Sequence, residues 1–288
     1  MKKLLIPVFA LCAAAACADI YMAGDSTMCN YAPRQYPQQG WGQALALYMK
    51  NPDQLHNWAI GGRSARSYRD EGRWQKLVDA LAAGDYVIIA FGHNDANKAK
   101  KERYSSVPDY KELMKGFVAD VRAKGATPIF ATSIPHSGGF SQNADGVLSV
   151  RGGAAGIGPY VGATRELGAE LGVPVLDLNK FACEDLPKRG LEKANKLYMR
   201  IQPNEYKNYP NGKGDGCHTR DTGAYYFATA AVKAAREQKL GVCELFKPFA
   251  EVQFTPIPWG GPGSDAQPMK DDFSKEEIGY ANEGVEKK

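Results

Sequence analysis

Residues 85–95 read DYVIIAFGHND, and they set the architecture of the chain. Tyr86 to Phe91 run without a polar break. A strand with one wet face alternates apolar and polar residues, because successive side chains point to opposite faces. A continuous run predicts a strand covered on both faces, as in a parallel sheet packed between helices. The run stops at Gly92, and His93, Asn94 and Asp95 follow at once. The same form recurs on either side. IYMAGDST occupies 20–27 and VPVLDL occupies 173–178, with further apolar runs at 56–60 and 128–132. Helical patterns fall between them, at 41–50, 72–83, 108–124 and 158–171, with a last one over 221–238. In that last segment Ala224, Phe227, Ala228, Ala231, Val232 and Ala235 recur at helical spacing, with Lys233, Arg236 and Glu237 outside. Alternating β and α segments predict an α/β fold, a five-stranded parallel sheet with helices on both faces. Ligands of such sheets bind beyond the carboxyl ends of the strands.

Two connections are long. Residues 134–157 are Gly-rich and follow the fourth strand; residues 198–214 carry three tyrosines and two prolines. Long loops in a compact domain are usually functional. The chain ends read differently. Lys2 and Lys3 precede an apolar stretch, and Ala16-Cys17-Ala18 forms an A-x-A site, so residues 1–18 read as a secretory signal. This predicts a secreted or periplasmic protein, with a lipid anchor on Cys17 as the alternative. Residues 19–250 form one domain. Residues 251–288 read as a Pro/Gly-rich linker and a charged tail, with no internal repeat anywhere.

The full chain has 36 basic and 32 acidic residues, a formal charge of +4. Losing Lys2 and Lys3 leaves +2, and no basic block dominates, so nucleic acid is not an expected partner. No stretch beyond the signal is long and apolar enough to span a membrane. The oligomeric state is left open. Cys29, Cys183, Cys217 and Cys243 survive cleavage, and an even count in an exported chain favours disulfides. With no C-x-x-C pair and no histidine cluster, no zinc site is expected. The G-x-S-x-G, G-x-G-x-x-G, P-loop and H-E-x-x-H motifs are all missing, which excludes the nucleotide and zinc-protease classes they mark.

Chemistry centres on a few residues. Asp25, Ser26 and Thr27 follow the first strand, where they read either as a turn and helix cap or as a nucleophile at a strand end. Four histidines offer a base. His56 opens a strand, His93 follows the buried run and reads as structural, and His136 lies in the Gly-rich loop and is not expected to be held in place. His218 remains, in GDGCHTRDTGA. Asp215 precedes it by three residues, so in a tight turn its carboxylate reaches Nδ1 and leaves Nε2 facing outward as a base.

Four blocks occur in order: AGDSTM, AIGGRSARSYRDEGRW, FGHND and DGCH. Together they resemble the SGNH, or GDSL-type, hydrolases. GGRSARS with DYVIIAFGHND, and GWGQ at 40–43, are most similar to the rhamnogalacturonan acetylesterases of that superfamily. The resemblance covers roughly 19–240. It implies a flavodoxin-like three-layer fold, no metal or cofactor, and an acetylated plant cell-wall polysaccharide as substrate, rhamnogalacturonan first. An acetyl-xylan or broad small-acyl esterase is the alternative within chemistry, and a non-catalytic carbohydrate-binding protein the alternative outside it. Carried over position by position, Ser26 is the nucleophile, His218 the base and Asp215 its orienting partner. The oxyanion donors are the N–H groups of Ser26 and Gly62 and the side-chain amide of Asn94, an uncharged donor. Asp95 reads as a turn acceptor.

The chain departs from its relatives in two places. Many bacterial relatives have paired arginines after the fourth strand where this chain has IPHSGGF, which bears on the substrate. Gly216 and Cys217 stand where some relatives have Asn-Thr. Arg63, Arg66, Arg69 and Arg73 recur beside Gly62, either as a basic edge for a polyuronate or as ion pairs with Asp70 and Glu71. Arg63, Tyr206 and Tyr209 are the candidate substrate contacts; Trp41 and Trp74 read as core. Because Ser26 must touch His218, Cys29 and Cys217 are expected to approach and to form a disulfide. The other two cysteines then pair or stay free; a Cys217–Cys243 bridge and free thiols are the alternatives.

Overall fold

The computed structural model describes residues 18–253. The expected signal segment up to residue 17, with Cys17 as the alternative anchor, and the expected linker and tail from residue 254 onward lie outside the described residues. Five strands form the central sheet: β1 Ile20–Gly24, β2 Leu55–Asn57, β3 Tyr86–Ala90, β4 Thr127–Ala131 and β5 Val175–Leu176. All neighbours are parallel, in the order β2-β1-β3-β4-β5. That is the flavodoxin-like winding, with its switch point beside β1 and β3.

Strand pleating divides the core in two, as continuous apolar runs require. Ile20, Met22, Ile88, Ala90, Ile129 and Ala131 face one layer, while Tyr21, Ala23, Val87, Ile89 and Phe130 face the other. The first layer holds α1 Trp41–Leu45, α6 Leu178–Arg189, α7 Leu191–Asn195 and α8 Asp221–Glu237. The second holds α2 Ala65–Asp70, α3 Arg73–Ala80, α4 Val107–Ala123 and α5 Gly158–Leu171. Trp41 and Trp74 are both buried in these layers.

Two expected strands are shorter than their apolar runs. β2 ends at Asn57, whose Oδ1 turns back to accept the Ala59 N–H; pairing with β1 nevertheless continues through Trp58 N–H to the Met22 carbonyl and Ile60 N–H to that of Gly24. β5 ends where Asp177 caps α6, accepting the Lys180 N–H at 3.0 Å. α6 is not legible in the sequence because Pro187 sits near its end and reads as a breaker. α2 starts from a reciprocal Ser64–Ser67 cap.

Both long connections contain strands. Residues 140–142 and 148–150 pair as a small hairpin. The second loop is flanked by β6 Tyr198–Ile201 and β7 Lys213–Thr219, which pair antiparallel. Among the described residues no helix is long and apolar enough to cross a membrane.

Candidate active site

The polar triplet after β1 divides three tasks. Asp25 is fully buried and makes the turn: its Oδ1 accepts the Thr27 N–H and the Thr27 hydroxyl, each at 2.9 Å. The Met28 and Cys29 N–H groups return to the Asp25 carbonyl. Ser26 is left at the apex with its backbone carbonyl held by the Tyr31 hydroxyl at 2.7 Å. The GWGQ block clamps this turn from the side. Gln43 accepts the Tyr31 N–H and donates to the Tyr31 carbonyl, and the Trp41 N–H donates to Thr27. A Cβ on Gly40 would lie 2.2 Å from the Cys29 carbonyl oxygen, and one on Gly42 2.5 Å from that of Met28. Only glycine lets α1 approach so closely.

Asp215 and His218 sit on β7, where a regular strand would point them to opposite faces. The ladder breaks to prevent this. Arg200 pairs with Gly214 and Tyr198 with Thr219, so Met199 alone faces the four residues from Asp215 to His218. The surplus residues form a bulge that curls the backbone into the tight turn expected from the D-x-x-H spacing. Asp215 Oδ1 accepts the N–H groups of Cys217 and His218, and its Oδ2 lies 2.7 Å from His218 Nδ1. Burial pushes the Asp215 carboxyl up, but the His218 ring and these two N–H donors outweigh it and hold the group well below the usual carboxylate range. A charged carboxylate on Nδ1 keeps the Nδ1–H tautomer, which leaves Nε2 with a lone pair. Nε2 lies 2.9 Å from Ser26 Oγ, across 192 positions of sequence.

Two further loops close around Ser26. A Cβ on Gly61 would fall 3.7 Å from the Ser26 Cβ, so the Gly61–Gly62 backbone runs beside it. Gly62 has φ +77°, a conformation that favours glycine. Asn94 comes from the loop after β3. Its Nδ2 donates to the Arg63 carbonyl at 3.0 Å, and its Oδ1 accepts from Arg103 Nη1 at 3.0 Å. Asp95 is fully buried and accepts the Ala65 N–H on both oxygens, tying the start of α2 to the β3 loop; burial pushes its carboxyl up to about 7.

The other histidines have structural surroundings. His56 stacks on Tyr21 and meets Asp19. His93 faces acceptors on both sides, Asp25 Oδ2 at 3.3 Å from Nδ1 and the Ile134 carbonyl at 3.0 Å from Nε2. Only an imidazolium donates to both. Burial works against that charge, and Asp25 overrides it, so His93 is raised and Asp25 lowered. His136 corrects the sequence reading: it is held in place, half-buried with its ring 5.3 Å from that of His93. Burial and the His93 charge keep it neutral, with its pKa lowered to about 4. His93, His136 and Cys217 bring donor atoms within 4.8 Å of one another, the one such group among the described residues. His93 would join a metal only by giving up one of its two hydrogen bonds.

The expected Cys29–Cys217 disulfide is absent, and the four cysteines among the described residues are all free. The reason is direction. His218 faces Ser26, whereas its neighbour Cys217 faces His93 and His136. The Cys29 thiol is buried and directed at the Ser26 carbonyl, 3.8 Å away.

Tyr206 is likewise not a surface platform. It is buried with Met199 and Ile201, edge-on to Tyr36, and the Arg220 guanidinium lies over its ring. Tyr209 is half-buried; its hydroxyl donates to the Gln35 carbonyl and Lys213 lies over its ring. Arg63 bonds Glu71 at 3.1 Å and the Gly61 carbonyl at 3.0 Å. Arg73 also meets Glu71, while Arg66 and Arg69 reach Asp109 and Asp120 of α4 rather than Asp70. All four arginines therefore have carboxylate partners. Arg103 and Lys213, the latter 3.5 Å from Asp215 Oδ2, are site neighbours that sequence reasoning missed. Lys213 stands two residues before Asp215, but Arg103 lies in a lysine-rich stretch that reads as a solvated surface.

The profile of the GDSL-like lipase/acylhydrolase family matches residues 22–223. Rhamnogalacturonan acetylesterase RhgT of Bacillus subtilis is 33% identical over 219 residues, covering 76% of this chain and 90% of that protein. The rhamnogalacturonan acetylesterase of Emericella nidulans is 28% identical over 258 residues, covering 81% and 91% respectively. Among solved structures, B. subtilis YxiM superposes with a TM-score of 0.65 at 29% identity. That match covers 78% of this chain and 57% of YxiM, so the chain spans little more than half of that protein.

Proposed function

The chain belongs to the GDSL-like lipase/acylhydrolase family and is a carboxylic ester hydrolase, and from that premise we propose that Ser26, His218 and Asp215 remove O-acetyl groups from rhamnogalacturonan. One observation carries the assignment of roles: the unbroken relay from Ser26 Oγ through His218 to Asp215, at 2.9 and 2.7 Å. Ser26 Oγ attacks the acetyl carbonyl carbon while His218 Nε2 takes its proton. The carbonyl oxygen becomes an oxyanion, met by the N–H groups of Ser26 and Gly62 and the Asn94 amide. His218 then returns the proton to the departing sugar oxygen. Water, deprotonated by His218, attacks the acetyl-Ser26 ester and releases acetate. Asp215 stays ionised throughout and balances the imidazolium charge.

The choice of polymer rests on the two relatives named as rhamnogalacturonan acetylesterases, each matched over about nine-tenths of its length. The 1–18 segment supports an exported enzyme, which would bring it to an extracellular polymer; the N-terminal sequence of the mature protein checks this. Acetate release from rhamnogalacturonan and acetyl-xylan, measured side by side, tests the substrate. Faster release from rhamnogalacturonan, abolished in Ser26→Ala, is expected. A Ser26→Ala protein with near-native turnover overturns the mechanism, and preference for xylan overturns the polymer.

A further inference from the structure

An amide side chain can serve an oxyanion only with its nitrogen end forward. Turned over, it would present a carbonyl oxygen to a developing negative charge. The orientation of Asn94 is therefore part of the chemistry, and two neighbours determine it. The Arg63 carbonyl can only accept, and it lies 3.0 Å from Nδ2. The Arg103 guanidinium can only donate, and its Nη1 lies 3.0 Å from Oδ1. Either contact alone disfavours the flipped amide, and together they make it cost two hydrogen bonds.

Arg103 also reaches the second loop. A Cβ added to Gly62 would fall 3.3 Å from the same Nη1. One guanidinium nitrogen thus touches the Asn94 amide and packs over Gly62, next to the backbone that supplies another oxyanion donor. The side chain is 27% exposed; its Nε meets Glu102 Oε1 at 3.5 Å, on a mostly exposed carboxylate, while Nη1 is the nitrogen that faces the site. A cation on the amide oxygen also polarises the amide, which strengthens its N–H groups as donors. One N–H is taken by Arg63, and the other remains for the oxyanion.

We propose that Arg103 is a positioning residue that locks the Asn94 amide, and with it the oxyanion hole, in the productive orientation. The inference rests on the reading of Asn94 as an oxyanion donor. It is separate from any contact between Arg103 and the polymer, because it acts through Asn94 and applies to every acetyl ester.

A neutral aryl acetate is the probe, since it carries no charge for Arg103 to recognise. Arg103→Met should lower kcat by about 10- to 100-fold, the range for losing one charge-assisted hydrogen bond. KM should change little. Arg103→Lys should recover part of the loss, because an ammonium still donates to Oδ1. The decisive arm is a cycle with Asn94→Ala: once the amide is gone, Arg103→Met should have no further effect. An unchanged kcat in Arg103→Met, or a loss that multiplies in the Asn94→Ala background, overturns the proposal. So does a defect confined to KM on rhamnogalacturonan, which would make Arg103 a substrate contact. If Asn94→Ala lowers kcat while Arg103→Met is native, only this inference fails; if Asn94→Ala keeps native kcat, the reading beneath it fails.

Discussion

Single atoms decide most of the site. Asp215 Oδ2 serves His218 Nδ1 while Oδ1 collects two backbone N–H groups, so one carboxylate shapes its turn and orients the base. Replacing it by Asn keeps the size but puts an NH₂ where a lone pair was. Asp215→Asn should therefore hold His218 in the wrong tautomer and lower kcat by about 10⁴, with far-UV circular dichroism unchanged. A loss below tenfold would show that Asp215 does not orient the base. The linkage sign follows from the lowered carboxyl. Its stabilisation is present above the unfolded pKa and lost as pH falls through the folded one, so the variant's stability deficit should close in acid. Asn94 is the second atomic decision. Its truncation to Ala should lower kcat by about 10²–10³ with turnover still measurable, the usual cost of one oxyanion donor.

At the scale of elements, the site depends on two irregularities rather than on helices or strands. The bulge in β7 aims His218, and the glycines of the GWGQ block let α1 press on the Ser26 turn. The two should respond differently to one added methyl group. A Cβ at Gly216 would lie 2.6 Å from Ser137 Oγ, 3.2 Å from Arg200 Nη2 and 3.3 Å from the Gly138 nitrogen. Gly216→Ala should push the bulge off its seat and cut kcat by about 10²-fold, since a shift near 1 Å suffices, with little change in Tm. Gly40→Ala sets its Cβ against the Met28–Cys29 backbone at a buried position. It should cost about 1–3 kcal/mol of stability, seen as a lowered Tm. Gly216→Ala with native kcat would show that the bulge tolerates displacement.

Across the whole molecule, buried charge beneath the strand ends makes stability depend on pH. The raised His93 contributes stability below its unfolded pKa and loses it as pH rises through the folded value. The lowered Asp25 contributes above its unfolded pKa and loses it as pH falls through the folded one. Together they favour the range between. Asp95 acts in the other direction. Its carboxyl ionises near pH 4 when unfolded but only at about 7 when folded, so its cost to stability accumulates between those values and is constant above. Asp95→Asn removes that term. The Tm difference, variant minus native, should therefore rise from about pH 4 to pH 7 and then level off. A difference that is flat or falling across that window would show that Asp95 is not held protonated.

The layers are legible in the sequence because they are written locally, and so are the candidate site residues. Continuous apolar runs such as 86–91, short and rich in β-branched and aromatic residues, read as strands with two covered faces, as in a parallel sheet between helices. The three-residue spacing of Asp215 and His218 permits their contact in a tight turn, and the bulge supplies that turn. Tertiary structure alone decided directions and distant partners. Cys217 and His218 are adjacent in sequence, but the bulge turns one toward the histidine pair and the other toward Ser26, so nearness along the chain did not become a disulfide. Tyr206 reads as free in the sequence, yet Arg220 covers its ring, and His136 reads as loose, yet packing sets it against His93. Arg103 belongs to a charged surface stretch, and its bond to Asn94 depends on how the loop after β3 folds back over Gly62. Periodicity encodes which face meets the core; it carries no information on which side chain, far along the chain, will stand opposite.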